Sequence, residues 1–169
     1  MKKDTEIIKG LQSKNETVII ETILKLRNTG HIIYLEDVFK AYSNDFQEST
    51  KKVFLEFISD IKTGEATGYI VSFIKNLKNE DDIALFTSCC WQSGLDFHNY
   101  IDFFIDLIIG SNYQVSIEVF TVIENCMHNL ENDVINRQVI KLKNSIKNVQ
   151  NKKKPLLVEL IKTFQSFQS

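Results

Sequence analysis

Apolar residues recur along this chain at the three- and four-residue spacing of helices, not at the two-residue spacing of strands. Leu35, Val38, Phe39 and Tyr42 form one such set, and Val53, Phe54, Phe57, Ile58 and Ile61 another, each lining one side of a helix. Strand alternation is nowhere sustained. The pattern predicts about ten helices, at roughly 3–12, 15–28, 34–43, 47–62, 66–77, 81–92, 97–109, 113–129, 133–149 and 155–167. Start signals fall near several of these boundaries. Ser13-Lys-Asn-Glu16, Asp45-Phe-Gln-Glu48 and Ser111-Asn-Tyr-Gln114 each set a capping side chain three residues ahead of an acid or amide that can reach back. Asn79 precedes Glu80, Asp81 and Asp82, whose charge suits a helix N-terminus, and Pro155 fits the first turn of a last helix, where its missing donor costs nothing.

Short loops between such helices make consecutive ones pack as antiparallel hairpins, either in a globular bundle or in a stack. Thr29-Gly30, Thr63-Gly64 and Ser93-Gly94 each close a predicted helix, with the glycines 34 and then 30 residues apart. Glycine can supply the left-handed conformation that stops a helix. Ile19, Val53 and Ile83 each stand eleven positions ahead of one of these glycines. A period near 32 is one hairpin per repeat, which favours the stack.

The segment LQSKNETVIIETILKLRNTGHIIYLEDVFKAY, residues 11–42, resembles HEAT or armadillo-like repeats, with Asn15, Val18, Ile19, Ile23, Leu26, Gly30, Leu35 and Val38 in the pattern's roles. The likeness extends more loosely to NEDDIALFTSCCWQSGLDFHNYIDFFIDLI and SNYQVSIEVFTVIENCMHNLENDVINRQVIKL. The repeats are shorter than most HEAT units, and the usual proline, aspartate and arginine positions are missing. The resemblance implies an all-α fold, a right-handed stack of antiparallel helical hairpins, in a single helical-repeat domain over 1–169. It also implies a scaffold that works through a concave surface.

Composition agrees with one helical domain. The chain has 169 residues, 43% of them apolar, with one proline and six glycines. The opening MKKDTEIIKG lacks an apolar run of signal-peptide length, and the longest uncharged stretch, Ile83 to Leu95, is too short to cross a bilayer. Three cysteines, two of them adjacent, suit a reducing compartment, so a cytoplasmic protein without membrane contact is expected. Net charge is −2 but unevenly spread: residues 137–169 hold eight Lys or Arg against the single Glu159. This region reads as a basic C-terminal cap of the stack. It also supplies an alternative function, nucleic-acid association through Arg137, Lys141, Lys143, Lys147, Lys152, Lys153 and Lys154.

Candidate chemistry is sparse. In TSCCWQSGLDF, residues 87–97, helical geometry puts Ile83, Leu85, Phe86, Cys89 and Cys90 in one apolar sector, with Trp91 on a flank beside Ala84 and Thr87. The two thiols then read as small buried hydrophobes. His31 lies near an early turn with no second ligand, and Cys126 and His128 diverge, so no cofactor or metal is expected. His98, Asp102 and Asp106 form a polar stripe on an otherwise apolar helix, and Gln114, Glu118, Thr121, Asn125 and His128 form another on the next. With Trp91, these stripes are the expected partner-binding surface of a non-enzymatic scaffold that meets another protein.

Overall fold

The structure is a computed structural model that describes residues 3–29 and 32–167. Gly30 and His31 therefore lie outside the described residues. Among the described residues ten α-helices follow one another: α1 Thr5–Leu11, α2 Glu16–Thr29, α3 Leu35–Ala41, α4 Glu48–Ser59, α5 Ala66–Asn76, α6 Glu80–Ser93, α7 Ile101–Gly110, α8 Tyr113–Cys126, α9 Asn132–Ser145 and α10 Lys154–Phe167. Among the described residues there is no strand.

Packing follows an alternating order. The even helices touch in sequence, α2 on α4, α4 on α6, α6 on α8 and α8 on α10, and among the described residues α6 and α8 share the most extensive contact. Odd helices pair as α1 with α3, α3 with α5 and α7 with α9, while α1 on α2, α5 on α6, α7 on α8 and α9 on α10 join the two sets. The even helices α2, α4, α6 and α8 begin at Glu16, Glu48, Glu80 and Tyr113, steps of 32, 32 and 33 residues. The same step relates Leu26, Ile58, Cys90 and Ile123, all at most 1% exposed, so Cys90 occupies a core position that its counterparts fill with aliphatic side chains.

Three of the expected start signals shift. The helix α2 begins at Glu16, where the Thr17 amide bonds to Oδ1 of Asn15, and Ser13 instead accepts the Asn15 amide one turn earlier. The N-cap of α8 is Asn112, accepting from the Val115 amide at 3.0 Å, not Ser111. At α4 the N-cap is Gln47, and the Asp45 side chain is not the cap. Asn79 caps α6 as expected, accepting from the amides of Asp81 and Asp82.

Among the described residues Gly94 alone has a positive φ, +70°, and ends α6 in the left-handed conformation. Gly64 has a different job. It follows the end of α4, and its carbonyl accepts the Thr67 amide and hydroxyl where α5 begins. Predicted helix 97–109 starts only at Ile101, because the Asp96 carboxylate takes the His98 amide and ring, leaving a 3₁₀ turn over His98–Tyr100. The predicted ends at 129 and 149 also move inward, with a 3₁₀ turn over Met127–Asn129 after α8.

Candidate functional site

With neighbours α4 and α8 in its own row and α5 across from it, α6 is covered on several sides. Ala84 and Thr87, expected on an outer flank, are buried with Phe86, Cys89 and Cys90, while Ile83 and Leu85 are only half-buried. Burial pushes the Cys89 thiol up to about 11 and the Cys126 thiol up to about 12, and it raises Cys90 well above the usual thiol range. None of the three is poised as a thiolate nucleophile. Trp91 reaches the surface at the end of α6, and its Nε1 donates to Oε2 of Glu118 at 2.8 Å.

The two polar stripes engage different neighbours. Asp102 accepts from Nε2 of Gln138 at 2.6 Å, and Asp106 pairs with Lys141 at 2.7 Å, so this stripe ties α7 to α9. His98 precedes α7 and sits with Asp96, whose carboxyl is held below its usual range; burial opposes that shift, but bonds from His98 and Asn129 outweigh it. On the other stripe, Gln114, Asn125 and His128 are exposed, and Glu118 and Thr121 are half-buried. Gln114 and Glu118 line a cleft of 340 Å³ with residues of α4 and α6.

The basic set is equally divided. Arg137, Lys143 and Lys147 are exposed, Lys141 is paired with Asp106, Lys154 is half-buried, and Lys152 stands 5.6 Å over the Tyr113 ring. Lys153, only 1% exposed, donates to the carbonyls of Ile109 and Ser111 at the C-terminal end of α7. It is therefore withdrawn from the surface where a phosphate would be met. A cation suits that end of the helix dipole, although burial lowers its pKa from the usual lysine value.

The feature that sequence reasoning missed is centred on Asp82. Its carboxylate, 1% exposed, accepts at Oδ1 from the Tyr42 hydroxyl at 2.7 Å and from Lys51 Nζ at 3.3 Å, while Oδ2 has no hydrogen-bond partner among the described residues. Burial raises the Tyr42 pKa, and the bond to Asp82 raises it further. Tyr42 is also the hub of an aromatic cluster, edge-on to Phe54, Phe73 and Phe86 at 5.4, 5.7 and 4.7 Å. Asp82 lines both the 340 Å³ cleft and a larger one of 790 Å³ that includes Phe39, Tyr69 and Phe73. A buried carboxylate with one oxygen unsatisfied is costly, by about 1–3 kcal/mol or more. One signal could have revealed it. In the 32-residue register Asp82 falls with Thr50 and Val115, both buried, so the acid stands at a core position.

Among the described residues no three or more His, Cys, Asp or Glu side chains are grouped to hold a metal ion, and no helix is long and apolar enough to cross a membrane. Comparison with protein-family models, with curated proteins and with solved structures gives no match to this chain.

Proposed function

We propose that this protein is an interaction scaffold rather than an enzyme, a right-handed stack of HEAT-like helical hairpins that binds a partner protein across its even-numbered helices. The alternating order of packing and the 32-residue step between helix starts support the stack. The observation that carries the binding face is the placement of exposed apolar side chains. Of the nine large ones among the described residues, Val18, Leu24, Trp91, Tyr113, Ile117, Val158 and Phe167 belong to even helices, and only Tyr69 and Ile140 to odd ones. Exposed apolar side chains gathered on one set of helices favour contact through that set, and Trp and Tyr are favoured anchors in such contacts.

Site-specific photocrosslinking tests this directly. A benzoylphenylalanine in place of Ile117, in the full chain expressed in its source cells, is expected to give a discrete adduct with another protein, and one in place of Ile140 is not. No adduct at position 117, or the same adducts from both positions, would overturn the reading.

A further inference from the structure

We propose that the cleft between α4, α6 and α8 is a pocket for one basic side chain, lysine or arginine, projecting from the partner protein. The inference rests on the even helices being the binding face and adds the chemistry of what they receive.

Four carboxylates, Glu48, Asp81, Asp82 and Glu118, line this cleft against the single cation Lys51. Such an excess draws a positive charge in from solution and rejects a negative one. An acidic lining is common on helix surfaces, where water and ions satisfy it, and alone it would identify nothing. Asp82 makes this one different. It is almost wholly withdrawn from water, and both of its donors, Tyr42 and Lys51, converge on Oδ1, so Oδ2 remains an acceptor without a donor. A carboxylate needs several donors when buried, and the missing one is an N–H or O–H. A guanidinium supplies such donors in a planar fork and keeps others for a second carboxylate, whereas an ammonium supplies three from one point. Trp91 Nε1 donates to Glu118, which fixes that acid of the lining in place.

The probe is a random twelve-residue peptide library panned on the immobilised full chain. Selected peptides are expected to require a Lys or Arg at one fixed position. Replacing that residue by citrulline or norleucine should weaken binding at least tenfold. The Glu48→Gln/Glu118→Gln variant should bind the same peptides at least tenfold more weakly with its helical signal unchanged. Asp82→Asn should act in the same direction, and where that variant does not fold, the rim variant decides. Peptides that crosslink at position 117 but need no basic residue overturn the pocket and leave the face standing. Basic peptides that crosslink only at position 140 overturn both. Failure to select any peptide that the rim variant binds less well also overturns the pocket.

Discussion

Lys152, Lys153 and Lys154 are adjacent in sequence, yet their side chains meet three environments. Lys153 is buried against the last carbonyls of α7, while Lys152 is exposed. Truncating Lys153 leaves those carbonyls without their donor, a penalty of about 1–3 kcal/mol, whereas an exposed lysine contributes within about 0.5 kcal/mol. Lys153→Ala should therefore lower the urea midpoint markedly at unchanged slope, and Lys152→Ala should not. The thiols make a second residue-scale test. Cys89 and Cys126 titrate near 11 and 12 in the folded chain and near ~8.5 in the unfolded one. Below that lower value both states hold the thiol proton and the stabilisation is complete. As pH rises the unfolded chain loses the proton first, so stability falls, by up to about 1.4 kcal/mol per pH unit per thiol, until the folded values are passed. Denaturant unfolding between pH 8 and 10.5 should show a steeper loss for the wild type than for Cys89→Ala/Cys126→Ala, and thiol reagent should label the cysteines only after unfolding. Burial of the cysteines could be read from helical phase, because apolar periodicity is local. The pairings of Asp82 and Lys153 could not. Among their partners, Tyr42 and Ile109 lie 40 and 44 residues earlier, and only tertiary packing brings them together.

Individual helices were legible because each carries its own apolar stripe, but the caps were misread by one or two residues for a physical reason. The acids that open the even helices do not fold back into capping boxes. Glu16 instead accepts the Gln47 amide and the Thr50 hydroxyl at the start of α4, and Glu80 accepts the Asn112 amide at the start of α8, at 2.9 Å. Each holds the next even helix by donors at its N-terminal end. Glu48 opens α4 in the same register but is exposed to solvent. All three acids gain from their own helix dipole, so substitution by alanine should cost each about 0.3–1 kcal/mol. Glu16→Ala and Glu80→Ala should lose about 1 kcal/mol more than Glu48→Ala, because a charge-assisted bond between helices goes as well. Equal melting temperatures for the three variants would mean that these links do not hold neighbouring helices in register.

At the scale of the whole molecule, the 32-residue step breaks once. From Tyr113 to Lys154 the even helices are 41 residues apart, and part of the added length is the turn that carries Val149 and Lys153 inward. The helix that follows, α10, packs on both α8 and α9 and buries Leu157, Leu160, Ile161 and Phe164. At the other end α1 packs on α2 and α3 and buries only Ile7 and Leu11. Full burial of one such side chain contributes about 1.5–3 kcal/mol, so the four on α10 carry roughly 6–12 kcal/mol as an upper bound and the two on α1 about half that. A domain of this size is stable by about 5–15 kcal/mol in all. Removing residues 151–169 should therefore leave a chain that melts non-cooperatively or associates through the uncovered faces of α8 and α9. Removing residues 1–11 should leave a monomer with a lower but still cooperative melting transition. Circular dichroism melting and size-exclusion chromatography of the two truncations distinguish these outcomes. If the C-terminal truncation stays monomeric with an unchanged melting temperature, α10 is not part of the cooperative core, and the packing that defines this end of the molecule is wrong.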